Sequence, residues 1–233
     1  FLAPARSLAG TLILDDFAYA TTNAARAAWT ASGAPAVAMA TGGEWGPDQV
    51  VLLPCDFATR STRCTWDRAV NLNLASYAEF ALEIFAPNPG AISSFTLYFK
   101  SGAGWYGAAA TLSQSGWQTL RFAVSDFIPE GTPAGWSQIT GIRLSPWKGA
   151  AQNTYLAVRQ LRAFTPTVLL VRDPQSSNPD IVQQTIDRHL AWLGGYNISC
   201  GVITRTNVEA GLLLGSKLAI LPYNEAVSET EMT

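Results

Sequence analysis

The chain has 233 residues, enough for one large β domain or two smaller units, either of which can bury a core. Hydrophobic residues make up 48% and charged residues 14%, which excludes the charged, aromatic-poor make-up of disordered chains. A net charge of -2 without a basic run excludes the electrostatic footprint of a nucleic-acid or anionic-membrane binder, and no apolar run approaches the roughly 20 residues of a membrane helix.

The N-terminus FLAPARS lacks the basic-then-apolar order of an intact signal peptide, so the chain reads as mature, processed or excised. From Thr11 to Phe164, short runs alternate apolar and polar residues between Gly, Pro, Asn and Ser, the pattern of an antiparallel all-β domain. The strands read as TLILDDF, VVLLPCDF, RCTWDRAV, AEFALEIFA, SSFTLYFKS, GWYGAAATL, WQTLRFAV, TGIRLSPW and TYLAVRQLRAF. Strands at this spacing predict a jelly-roll sandwich over residues 1–164.

Within that domain, Cys55 and Cys64 lie in two strand-like runs joined by a polar turn. Across such a hairpin their Cβ atoms come within disulfide distance, which would favour an oxidising compartment; two ordinary buried thiols are the other reading.

Period two sorts the strand side chains into faces. It sends Phe95, Leu97 and Phe99 inward and Thr96, Tyr98 and Lys100 outward, and buries Ile142, Leu144 and Pro146 while exposing Arg143, Ser145 and Trp147. Phe80, Leu82 and Ile84 go to the core, leaving Glu83 and Phe85 outside; Leu120, Phe122 and Val124 go inward, leaving Trp117 and Arg121 outside. In GWYGAAATL the more apolar set is Tyr106, Ala108, Ala110 and Leu112, which leaves Trp105 on the surface above Gly107 and Ala109.

The outward set Tyr98, Lys100, Trp105, Arg121, Arg143 and Trp147 combines rings with charged donors. Rings cover the CH-lined face of a pyranose, and charged groups take its hydroxyls. Trp45, in the loop GGEWGPDQ, is a further candidate, because loop tips carry recognition. An ordinary sandwich surface, or one covered by a second domain, is the other reading. Trp29, Trp66, Trp136 and Trp192 are expected inside.

After Thr165-Pro166-Thr167 the period changes, and residues 167–233 read as a partial α/β domain. VLLVRD is a continuous apolar strand, followed by a helix of about 15 residues. Asn178 caps it, Pro179 takes its first position, Val182, Ile186, Leu190 and Leu193 make one stripe, and Gly194 ends it. YNISCGVIT is a second strand, TNVEAGLLLGS a short helix with Thr206 and Glu209 at capping-box spacing, and KLAILPYN a third strand. This β-α-β-α-β order predicts a parallel sheet with helices on its faces, in three layers. Ser228 and Glu231 repeat the capping-box spacing just before the sequence stops, from which we expect a truncated domain and a longer parent polypeptide.

Catalytic patterns are not found. The lone His189 sits on the helix beside Leu190 and reads as a boundary residue, no spacing suits zinc, and the glycine-free turn RDPQSSNPD matches no phosphate-binding loop. Asp15 and Asp16 are adjacent on a strand and point to opposite faces, while Asp67, Glu79, Glu83 and Glu130 are scattered with nothing in the sequence to pair them.

DDF with a tryptophan a dozen residues on, NLASYAEFALEIF, LYFKSGAGWY, GWQTLRFAVSDF and WSQITGIRLSPW together resemble a galactose-binding-like jelly-roll carbohydrate-binding module over residues 11–164. The resemblance implies a noncatalytic module, secreted to an extracellular or periplasmic space, that binds a polysaccharide or oligosaccharide as part of a glycan-active protein. It also implies a structural calcium held by acids of the first and last strands, with Asp15 or Asp16 supplying the first; the last strand carries Arg159 instead of an acid. TVLLVRD through LAILPYNEAVSETEM is similar to the start of class I glutamine-amidotransferase-like, flavodoxin-like domains. Their nucleophile elbow follows a later strand, so Cys200 is not assigned that role. No other cofactor is implied.

Overall fold

The computed structural model describes residues 11–45, 48–60, 62–166, 168–173, 176–195, 198, 200–205, 208 and 218–222. They divide into two compact units. Among the described residues, one comprises Ile13–Ala75 and Phe80–Ala163; the other is built on those from Phe164 onward and takes in Ser76–Glu79 with Thr11 and Leu12.

The first unit is a β-sandwich of two six-stranded sheets. Sheet one runs β3 (Ala38–Thr41), β4 (Gln49–Cys55), β12 (Thr154–Phe164), β6 (Glu79–Ala86), β9 (Gly116–Ala123), with β1 (Thr11–Asp15) also paired to β12. Sheet two runs β10 (Ile128–Glu130), β8 (Gly104–Ala110), β7 (Ile92–Ser101), β11 (Ile139–Lys148), β5 (Trp66–Leu72), β2 (Thr30–Ala31). The nine strands read from the sequence all form; β2, β3 and β10 are the additions, each four residues or fewer. A helix, α1 (Thr22–Ala28), lies between β1 and β2, and Thr21 caps it by accepting from the Ala24 N–H at 3.1 Å.

The core lies between the inner faces. Phe95, Leu97 and Phe99 of β7, Ile142 and Leu144 of β11, and Phe80, Leu82 and Ile84 of β6 are fully buried, so the inward half of the period-two assignment holds on three strands; of the residues expected exposed, Thr96 and Ser145 are buried as well. Phe80 meets Phe99 across the sandwich in a tilted contact at 4.6 Å and 42°, and the half-buried Trp136 lies on Tyr106 at 4.5 Å and 11°. Burial of such rings stabilises at about 25 cal/mol per Å² of apolar surface removed from water. Trp29 and Trp66 are buried as expected.

Of the two readings of Cys55 and Cys64, the structure has the second: both are free, buried thiols. The segments that carry them do not form a hairpin, because β4 pairs with β3 and β12 in sheet one while β5 pairs with β11 and β2 in sheet two. The connection crosses between sheets. Besides facing one another, the thiols reach other acceptors, Cys55 Sγ at Leu53 O (3.5 Å) and Cys64 Sγ at Asp56 Oδ1 (3.4 Å). Hydrogen bonding with Cys64, then burial, pushes the Cys55 thiol far up.

The second unit has a three-stranded parallel sheet of order β14 (Cys200–Thr204), β13 (Val168–Arg172), β15 (Leu218–Ile220). The continuous apolar run of β13 follows from burial on both faces. Leu170 packs with Val182 and Ile186 of α2 (Pro179–Gly195), while Leu169 and Val171 pack with Ile203 and Val208. His189 is a half-buried boundary residue whose Nδ1 lies 2.7 Å from Thr185 O. Trp192 departs from expectation at 61% exposure, because it stands about 100° around the helix from the buried Leu193. The capping boxes of Thr206 with Glu209 and Ser228 with Glu231 lie outside the described residues. No helix among the described residues is long and apolar enough to cross a membrane.

Candidate functional site

The outer face of sheet two is built in rows, because directly opposed residues of an antiparallel pair share a face. One row reads Glu130, Trp105, Lys100 across β10, β8 and β7. The next reads Gly107, Tyr98, Arg143, Asp67 across β8, β7, β11 and β5. Thr96 and Ser145 oppose one another beyond it, then Ser94 and Trp147. Five of the sequence-predicted residues, Tyr98, Lys100, Trp105, Arg143 and Trp147, therefore stand on one sheet face.

Their contacts form a ladder. The Arg143 guanidinium carbon lies 4.4 Å from the Trp105 ring centroid, and Lys100 Nζ lies 5.8 Å from it. Trp105 meets Tyr98 edge-on at 6.2 Å. Arg63 lies 4.7 Å from the Trp147 ring and 6.0 Å from the Tyr98 ring, and Trp147 Nε1 donates to Thr96 Oγ1 at 2.9 Å. Asp67 accepts from Arg143 Nε at 2.6 Å and Nη2 at 2.9 Å, the two-point pairing that fixes a guanidinium plane. Those bonds, the largest influence, hold the Arg143 guanidinium further into its charged range.

Two expectations about this face are corrected. Tyr98 lies on it but is 5% exposed, so its ring is a floor and not a platform. The space expected over Gly107 beside the indole holds that ring: a Cβ at 107 would lie 2.5 Å from Tyr98 Cε1. Trp105 and Trp147 are half-buried and present the remaining aromatic surface.

Arg121 and Trp45 stand elsewhere. Arg121 is exposed on β9 of sheet one, and Trp45 ends a short 3-10 turn (Gly43–Trp45), its ring packed edge-on against Phe85 of β6 at 4.9 Å and Tyr155 of β12 at 5.7 Å. Period two gives a face within a strand but not which sheet the strand joins, and that is why the sequence merged the two groups. It also passed over Arg63, which lies in the irregular connection before β5, and Asp67, whose partner Arg143 is 76 residues away.

The acidic pair does not fit a calcium site. Asp15, 5% exposed, already accepts from Phe17 N (2.7 Å), Tyr19 Oη (2.5 Å) and Trp29 Nε1 (2.8 Å) and is ion-paired to Arg68. Asp16 turns away and accepts from Ala18 N at 3.0 Å. A cation at Asp15 would face a guanidinium, and no cluster of three His, Cys, Asp or Glu side chains exists among the described residues.

No protein-family model and no curated protein matches the chain. Solved structures do. The family 11 carbohydrate-binding module of the cellulosomal cellulase Lic26A-Cel5E of Clostridium thermocellum superposes with a TM-score of 0.50 at 12% identity, covering 68% of this chain and 96% of that one. An exo-β-agarase superposes at 0.51 and 12%, covering 66% of this chain and 26% of that one. The family 27 module CBM27-1 of Caldicellulosiruptor saccharolyticus, in complex with mannohexaose, gives 0.47 at 11%, covering 67% and 97%. The fold of the first unit is that of the β-sandwich carbohydrate-binding modules.

Proposed function

We propose that the chain is a noncatalytic glycan-binding module that serves a larger, secreted glycan-active protein, with its ligand face on the outer side of sheet two. The observation that carries this is the ladder from Trp147 through Arg63, Tyr98 and Trp105 to Arg143 and Asp67. Two half-buried indoles offer CH–π contact to pyranose rings, while Lys100, Glu130 and Asp67 border them with groups that bond hydroxyls. Stacking of roughly 0.5–1.5 kcal/mol per ring beyond area burial predicts modest affinity.

Likeness to a module of a cellulase and to part of an agarase supports a role beside a polysaccharide-degrading enzyme and outside the cell. In the second unit, the order β14-β13-β15 places the first strand of that sheet between the two that follow, the arrangement that opens flavodoxin-like and amidotransferase-like domains. Affinity electrophoresis against cellulose-type β-glucan, mannan and agarose, with wild type, Trp105→Ala and Trp147→Ala, tests the ligand face. Retarded wild type and faster-running variants are expected; unchanged mobility of both variants would overturn it.

A further inference from the structure

The opposite face of the sandwich carries a second set of the same chemical groups. On the outer side of sheet one, Phe85 meets Trp117 edge-on at 5.6 Å and continues the ring row begun by Trp45 and Tyr155. Arg159 lies 4.3 Å from the Trp117 ring centroid, donates from Nε to Glu83 at 2.6 Å and from Nη1 to Asp48 at 2.8 Å. Arg162 Nη2 takes the other oxygen of Glu83 at 2.8 Å. Strict alternation along β12 would send residues 159 and 162 to opposite faces, yet both reach Glu83. The strand breaks its period to bring two guanidiniums to one carboxylate.

Two clefts flank this pairing and share Glu83 and Arg159 as a common wall. The smaller, about 200 Å³, opens onto Trp117, Gln118 and Thr119; the larger, about 460 Å³, extends to Asp16, Gln49 and Gln160. Gln160 also lines the larger cleft, and its Oε1 is a buried acceptor without a hydrogen-bond partner. An indole at one end and amides, carboxylates and guanidiniums along the floor suit a chain of hydroxyl-bearing rings. Three carboxylates, Asp16, Asp48 and Glu83, stand against two guanidiniums, Arg159 and Arg162, which favours a neutral sugar over a uronic acid.

We infer that the outer face of sheet one is a second binding site for a neutral oligosaccharide, running from Trp117 across Glu83 and Arg159 toward Gln160. It is independent of the sheet-two face. Because the two sheets bury their inner faces against each other, the outer faces look in opposite directions, and a module using both bridges two glycan chains.

The test is an NMR titration of the whole chain with cellohexaose, mannohexaose and an agarose-derived hexasaccharide at about 10 mM each, which detects millimolar affinity. The Trp117 indole N–H and the Arg159 side-chain resonances are expected to move with at least one sugar, in wild type and equally in Trp105→Ala. Trp117→Ala should lose the Arg159 response while the Trp105 indole keeps whatever response it has. No movement of either resonance with any of the three sugars overturns the second site, and so does a response abolished by Trp105→Ala. The sheet-two reading stands or falls separately, on the Trp105 indole.

Discussion

The Arg143 guanidinium lies 4.4 Å from the Trp105 ring and is locked there by two hydrogen bonds to Asp67. A planar guanidinium held at two points against an indole leaves fewer rotamers to freeze when a ligand arrives. Arg143→Lys keeps the charge but loses the plane and one of the two bonds. Glycan affinity is expected to fall about two- to tenfold, equivalent to roughly 0.5–1.4 kcal/mol. Isothermal titration against the polysaccharide retained by the wild type measures this, and equal affinity would show that the stack is structural only.

Gly107 makes room for the Tyr98 ring, and a Cβ there would stand 2.5 Å from its Cε1. Gly107→Val should therefore expel the ring from the floor of the face. Overpacking of this kind costs about 1–3 kcal/mol, read as a lower denaturation midpoint. Tyr98→Ala in the same background should recover part of the loss, since the clash is with that ring. A midpoint unmoved by Gly107→Val would contradict the close approach.

How much of this was legible follows from which physical signals are local. Alternation is local, so Phe95, Leu97 and Phe99 were placed in the core and Trp105, Arg143 and Trp147 outside it, correctly in each case. Sheet membership is a long-range property, so Arg121 and Trp45 were merged with a face on which they do not lie, and the Cys55–Cys64 segment passed for a hairpin when it crosses between sheets. The partners that make the site rigid, Asp67 for Arg143 and Arg63 for Trp147, sit on strands or connections far apart in the chain and carry no local mark. Helix α1 had a signal in its threonine cap and alanine-rich turn; β10, with three exposed residues, had none.

The thiols should react in an order set by burial. Cys55 and Cys64 are at most 1% exposed, whereas Cys200 is half-buried and its thiol is pushed up to about 11 by burial. Burial disfavours the thiolate, so at pH 8 only about one Cys200 in a thousand is ionised, and its alkylation should quicken roughly tenfold per pH unit up to pH 11. Cys55 and Cys64 should label only with global unfolding. Mass spectrometry of iodoacetamide-treated protein checks both points. Rapid native labelling of Cys55 would contradict its burial, and two unreactive cysteines in unfolded, unreduced protein would show a disulfide in their place.

Asp15 is a buried hub, and its accounts of charge and hydrogen bonding are already closed. Its carboxylate binds the Phe17 N–H, the Tyr19 hydroxyl, the Trp29 indole N–H and Arg68, while Phe17 takes a left-handed backbone (φ 56°) and stacks on Trp29 at 5.5 Å. Desolvation first, then the bond to Asp15, raises the Tyr19 phenol, so that hydroxyl remains a donor throughout the neutral range. Asp15→Ala would leave Arg68 without its buried partner and the Phe17 N–H and Tyr19 hydroxyl unsatisfied, the Trp29 N–H keeping only Tyr19 Oη at 3.1 Å, at about 3–5 kcal/mol. Asp15→Asn should cost less, since it retains one acceptor oxygen, though not the charge. A calcium ion, by contrast, would have to displace Arg68 to gain a ligand. Thermal denaturation is therefore expected to give the same midpoint in EDTA and in millimolar calcium, with a large drop only for Asp15→Ala. A midpoint that rises with calcium in the wild type and not in Asp15→Asn would place a metal at this carboxylate and overturn the hub.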